Sequence, residues 1–135
     1  PVPVTGGYVH LGDGMIFLAA MLLGPMGVAA SAVGSALSDL VGGYMTYLIP
    51  TFVIKGLVAF IAWKLYRDNS LIRALLAFVI AELVMVLGYF AFESVLYGMT
   101  AAWAAVGPNL IQGLAGVVLG MVCTAVLPRL KSLIK

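Results

Sequence analysis

Residues Gly6 to Tyr44 read GGYVHLGDGMIFLAAMLLGPMGVAASAVGSALSDLVGGY. The stretch opens on polar groups, Tyr8, His10 and Asp13, and becomes apolar through Leu23. Gly24-Pro25 then breaks it, because proline has no N–H and restricts the residue before it. A run of small residues follows (Gly27, Ala30, Ser31, Gly34, Ser35, Ser38) and ends on Asp39. An apolar stretch with acids at both ends predicts a helical hairpin that starts and finishes on one side of a membrane. Leu11–Leu23 spans about 20 Å as a helix, short of a ~30 Å hydrocarbon core. Two arrangements therefore stay open for residues 11–41: one kinked span or two short ones. The recurrence of Gly, Ala and Ser at i+3 and i+4 lets membrane helices approach closely.

Composition supports the membrane reading. The chain has 135 residues, of which 64% are hydrophobic and 9% charged, with a mean hydropathy of +1.17. A soluble domain of this size needs more charge to cover its surface. Long apolar runs without strict alternation predict helices rather than a barrel. The expected fold is an all-α integral membrane protein, one transmembrane domain over residues 1–135. Its helices are expected near 11–23, 26–41, 51–65, 70–97 and 109–127. Asp68-Asn69-Ser70 is a turn with a good N-cap. Residues 98–108 read as a loop with room for one helical turn near Trp103, and Pro128 as the stop of the last span. Pro1 follows no visible signal peptide. The net charge of +2 comes from basic residues in two clusters, which is a topology signal rather than a nucleic-acid footprint. Lys64, Arg67 and Arg73 flank one loop, and Arg129, Lys131 and Lys135 follow the last span; the positive-inside rule places both groups, and the C-terminus, in the cytoplasm.

Ionisable groups at membrane depth are costly and usually functional. His10, Asp13, Asp39, Lys55 and Glu93 fall in the outer half, and Glu82 lies deeper. Glu82, Tyr89 and Glu93 are spaced i, i+7 and i+11, within about 20° of one line on a helix, so they form one inward stripe. Asn109 and Gln112 share a face of the last span with Gly113 and Gly116, and their amides can both donate and accept. Together these residues predict a small polar cavity open to the outside. Asp13 can instead cap a helix starting at Gly14, and Asp39 can instead form an ion pair with Lys55. His10 can be solvated, and Tyr44, Tyr47, Tyr97 and Trp103 suit an interfacial belt. The outer half holds three acids, one lysine and no arginine. It suits a neutral or weakly basic ring compound better than a carboxylate, which calls for arginine. The lone Cys123 gives no intrachain disulfide. The sequence has no metal-ligand cluster, no nucleophilic triad and no phosphate loop, so neither a cofactor nor enzyme activity is expected.

The stretches GGYVHLGDGMIFLAAMLLGP, GVAASAVGSALSDLVGGY and PTFVIKGLVAFIA resemble the substrate-binding S components of energy-coupling factor (ECF) vitamin transporters. They look closest to the hydroxymethylpyrimidine branch, grouped with the riboflavin-type S components. The likeness is specific from Tyr8 to Ile61 and weaker over Asn109–Gly113. It implies a six-helix bundle of which helices two to six are present here, with a first helix, carrying the family's AxxxA docking motif, expected before Pro1. The two-span arrangement of residues 11–41 follows from it. The implied protein sits in a bacterial cell membrane and binds a vitamin or precursor from outside, hydroxymethylpyrimidine or pyridoxine, with riboflavin as the alternative. It is a transporter subunit that topples against a transmembrane scaffold subunit driven by two cytoplasmic ABC-type ATPases. The candidate ligand contacts are Tyr8, His10, Asp13, Asp39, Tyr47, Lys55, Glu82, Tyr89, Glu93, Asn109 and Gln112. Two other classes compete. A channel or secondary transporter calls for polar residues through both leaflets, and the inner halves are nearly apolar. A ligand-free assembly protein leaves Glu82, Tyr89, Asn109 and Gln112 buried without a reason.

Overall fold

The computed structural model describes residues 12–134. Five helices follow one another: α1 (Asp13–Leu23), α2 (Pro25–Gly42), α3 (Leu48–Leu65), α4 (Leu71–Tyr97) and α5 (Met99–Leu133), with a 3₁₀ turn, Met45–Tyr47, leading into α3. The described chain is all-α. Three segments, Met45–Leu65, Leu71–Tyr97 and Met99–Leu133, are long and apolar enough to cross a membrane. Their outward residues are apolar too; Ile49 is 72% and Val95 88% exposed, as lipid-facing side chains are.

Gly24 makes the α1–α2 hairpin. Its φ of +59° is open to glycine at little cost, and Pro25 starts α2 at a position that needs no N–H. A Cβ on Gly24 would also lie 3.3 Å from the Trp63 indole nitrogen near the end of α3. The hairpin therefore turns at the α3 C-terminal end and returns to the opposite end, where Gly43, at φ +84°, caps α2. Tyr44 N–H there closes onto the Asp39 carbonyl at 2.8 Å.

Ser70 Oγ caps α4 by accepting the Arg73 N–H at 3.2 Å. Residues 98–108, expected as a loop, belong almost wholly to α5. Gly98, at φ +94°, is the only residue between α4 and α5. The alanines of Thr100–Val106 favour helix, and Ala101, Ala102 and Ala105 are buried. Trp103 meets Phe90 edge-on at 4.9 Å. Pro108 sits inside the helix; the residue before it is Gly107, with no Cβ to clash with the proline ring. Pro128 does not stop α5 either. Leu127 is buried on one side of it, and Lys131 on the other is bonded to Asp68 at 2.9 and 3.1 Å.

The helices pack in a ring, α1 to α2 to α3 to α4 to α5 and back to α1, and α1 also touches α3. The half of the bundle nearest Gly24 is filled by apolar side chains. Phe17 stacks on Phe78 at 4.4 Å, and Tyr66 on Phe78 at 6.2 Å, among Ala20, Val58, Ala62 and Ala77, all fully buried. The other half holds the polar groups. The interior is thus closed at one end and polar at the other.

Candidate functional site

The polar half is built in two tiers. The deeper one centres on Asp13, the first residue of α1. Its side chain does not serve as a helix cap, because Gly12 holds that position. Instead Asp13 Oδ1 accepts a 2.6 Å bond from Lys55 Nζ of α3, and Oδ2 accepts one at 3.1 Å from Gln112 Nε2 of α5. Lys55 therefore pairs with Asp13 rather than with Asp39. Asp13, Lys55 and Gln112 are essentially fully buried, so the pair ties three helices together in a medium where an unpaired charge is costly.

Glu82 of α4 completes this tier. It is 4% exposed; its carboxyl oxygens accept no bond from an N–H or hydroxyl group among the described residues, and its near neighbour is the Asp13 carboxyl, with which it can share a proton. Gly116 explains how it fits: a Cβ there would overlap Glu82 Oε1 and lie 2.9 Å from Asp13 Cβ. The two acids face each other across a glycine that lets α5 approach. Two acids share one lysine, so the tier has one acid more than it has bases. Uncompensated burial of such a group costs several kcal/mol by the general estimate for charges in low dielectric. A groove of about 360 Å³ between α1 and α2 reaches Asp13 from the side, past Ser31, Gly34 and Ser38.

The second tier lies toward the Gly98 end. Tyr47 OH donates to Glu93 Oε1 at 3.0 Å, and the hydroxyls of Thr51 and Tyr89 are 2.8 Å apart. The Tyr47 ring packs against Tyr89 at 6.3 Å and against Phe92 at 5.4 Å. Lys55 Nζ sits 5.8 Å from the Tyr89 ring centre and joins the tiers. Glu82, Tyr89 and Glu93 are all buried on one stripe of α4, as their spacing requires. Asn109 is buried on α5 one turn from Gln112, and Asp39 is buried on α2. Tyr8 and His10 lie outside the described residues.

Two participants escape a reading for charge. Thr51 bonds Tyr89, and Met85 Sδ lies 3.9 Å from Gln112 Nε2. Thr51 had a signal: Tyr47, Thr51 and Lys55 recur every four residues and share one helix face. Met85 had none, since a methionine in an apolar helix reads as core.

At the closed end a second ion pair is exposed. Lys131, hydrogen-bonded to Asp68, holds that carboxyl below its usual range. Partial burial, and next Asp68, push the Tyr66 hydroxyl up to about 12.

An assembly of this kind, with a polar interior at one end of an apolar helical bundle, offers binding chemistry. Comparison with known proteins agrees. The model of the ECF-type riboflavin transporter S component family matches residues 1–129. A Pyrococcus woesei protein, described as an uncharacterized protein in the gap 3′ region, is 40% identical over 122 residues, covering 89% of this chain and 82% of that one. The thiamine precursor transporter HmpT of Lactococcus lactis subsp. cremoris is 30% identical over 131 residues, covering 96% of this chain and 75% of its own length. With that match running through both tiers, the chain is a multi-pass membrane protein that belongs to the ECF-type riboflavin transporter S component family.

Proposed function

We propose that this chain captures a small, weakly basic, hydroxymethylated ring compound for an ECF-type importer, with hydroxymethylpyrimidine and pyridoxine as the leading ligands. The observation that carries this reading is Glu82: a second buried acid set beside an Asp13–Lys55 pair, so that two carboxyl groups share one base among the described residues. A ring nitrogen carrying a proton, or an exocyclic amine, would supply the donor that the extra acid lacks. Gln112 and Asn109 stand nearby with amides able to read both edges of a heteroaromatic ring. Tyr47, Tyr89 and Phe92 offer ring faces for stacking, and Glu93 a second acceptor. Asp39, Tyr8 and His10 belong to the same candidate set. The name of HmpT, a thiamine precursor transporter, fits this class. The family's description favours riboflavin as the second reading.

In this account the polar end faces outside. Lys64, Arg67, Arg73, Arg129 and Lys131 then lie toward the cytoplasm with the C-terminus, as the positive-inside rule asks. The ligand enters at the polar end, beneath the segment 42–49 and the first turns of α5, which stand where a covering loop was expected. The apolar plug around Phe17 and Phe78 blocks passage straight through. The likeness to ECF S components implies release inside by toppling of the whole bundle against a transmembrane scaffold partner, driven by two cytoplasmic ATPases. The chain itself performs no hydrolysis.

The test is a fluorescence titration of the purified protein in lipid nanodiscs with hydroxymethylpyrimidine, pyridoxine and riboflavin, each alone. Saturable quenching by one of the first two supports the reading. Saturation by riboflavin alone establishes the second reading, and no saturation with any of the three, in folded protein, removes both.

A further inference from the structure

The end of the bundle opposite the polar tiers is basic. Lys64, Arg67 and Arg73 lie around the α3–α4 turn, and Arg129 and Lys131 near the end of α5. Of the five acids in the chain only Asp68 lies at this end, and Lys131 already holds it. Arg67 turns one nitrogen back onto the carbonyls of Lys64 and Tyr66, and Lys64 Nζ lies 4.3 Å from the Trp63 ring centre. Arg73 differs. Its backbone N–H goes to Ser70, but its guanidinium makes neither a hydrogen bond nor an ion pair among the described residues.

The same arginine lines a groove of about 180 Å³ whose other walls are apolar, Leu65 from α3 and Leu76, Ala77 and Ile80 from α4. Leu76 is 51% exposed and Ile80 42%, so the groove opens sideways, between two helices apolar enough to cross a membrane. With 27 residues, α4 is about 40 Å long against a ~30 Å hydrocarbon core. Arg73, its third residue, therefore stands at headgroup level. Trp63 and Lys64 mark the same level on α3, as interfacial residues do. From Arg73 to Ile80 the groove descends about 10 Å, into the acyl layer.

An unmatched cation at headgroup level above an aliphatic slot selects its occupant by charge. We propose that the α3–α4 groove is a binding site for an anionic phospholipid, with its phosphate on Arg73 and one acyl chain along Leu65, Leu76 and Ile80. A zwitterionic lipid brings its own ammonium into the field of Lys64, Arg67 and Arg73, and a second copy of this chain brings the same cations; like charge disfavours both. The site lies at the far end from the polar tiers and does not depend on which vitamin they take.

The test is native mass spectrometry of the full chain in detergent, titrated with dioleoyl phosphatidylglycerol or with dioleoyl phosphatidylcholine. The first phosphatidylglycerol should bind about fivefold more tightly than the first phosphatidylcholine, the scale of one basic side chain at a charged membrane surface. Arg73→Gln should remove that preference and leave phosphatidylcholine binding as it was. Leu76→Trp, at an exposed position that tolerates bulk, should fill the groove and weaken phosphatidylglycerol binding. Arg129→Gln removes the same charge from α5, outside the groove, and should keep the preference. Equal binding of the two lipids would overturn the proposal, as would a preference that Arg129→Gln lowers as much as Arg73→Gln does, the mark of a diffuse field. Unchanged phosphatidylglycerol binding in Leu76→Trp would overturn it too, and so would a dimer that forms in place of the lipid-bound monomer. None of these variants touches the polar tiers, so failure here leaves the transport reading standing, and failure of the vitamin titration leaves the groove standing.

Discussion

Replacing Lys55 by methionine removes the single base of the deeper tier and keeps nearly the same volume. In the native fold its Nζ is 2.6 Å from Asp13 Oδ1, and both side chains are shielded from solvent. After the substitution Asp13 retains only the Gln112 amide, 3.1 Å from its other oxygen, and faces Glu82 across Gly116 with no cation between them. Breaking a buried pair from one side costs about 3–5 kcal/mol, a large share of the ~5–15 kcal/mol that holds a domain folded. Removing both partners, in Asp13→Asn with Lys55→Met, takes away the stranded charge, and buried pairs exchanged this way are often close to neutral. The double variant should therefore be more stable than Lys55→Met alone. Reversible unfolding in mixed micelles, followed by the fluorescence of Trp63 and Trp103 and arranged as a double-mutant cycle, reads both quantities. A loss below about 1 kcal/mol, the value of an exposed pair, would refute the argument that this bridge is dry and holds three helices. So would a double variant no more stable than the single one.

Three further outcomes follow from the geometry. Gly116→Ala drives a methyl group into Glu82 and Asp13 and should destabilise by about 1–3 kcal/mol, as overpacking does; ligand affinity should fall with it, and a neutral result in the same unfolding assay would contradict the close approach of α5. Thr51→Val and Tyr89→Phe each break the same 2.8 Å contact, so each should cost about 1 kcal/mol and the pair little more than either alone; strict additivity would count against the bond. The Asp68–Lys131 bridge is open to water, with Asp68 65% exposed, and should contribute no more than about 0.5 kcal/mol. Because Asp68 titrates below its ordinary range, that contribution is present above the unfolded carboxylate value of about 3.9 and is lost as pH falls through the lower folded value. Thermal melts of Lys131→Met against wild type from pH 7 to pH 3 should converge at the acid end.

Much of this architecture was legible in the residues. Sparse charge and long apolar runs require helices in lipid, and Gly24-Pro25 can only turn or break one. The spacing of Glu82, Tyr89 and Glu93 places them on one buried stripe of α4 because helical periodicity alone decides it. What was not legible depends on contacts between distant segments. The sequence suggested Asp39 as the partner of Lys55 and a cap or ligand contact for Asp13, and only the packing of α1 against α3 and α5 brings Asp13 to the lysine. Gly107-Pro108 carries every local sign of a break, yet the alanines before it pack on α4 and the helix runs on. Tertiary burial overrode the local signal there, as it did at Pro128, where Lys131 is tied across to Asp68.

The central claim is that Glu82, the acid that has no base of its own among the described residues, meets the ligand with its carboxyl group. The direct measurement is the affinity of wild type and Glu82→Gln, side by side in nanodiscs, for whichever of hydroxymethylpyrimidine or pyridoxine binds, with unfolding curves showing both proteins folded. The account predicts that Glu82→Gln weakens binding about 10–100-fold, the worth of one hydrogen bond to a charged group, with stability kept or raised. Equal affinities in the two proteins would contradict it.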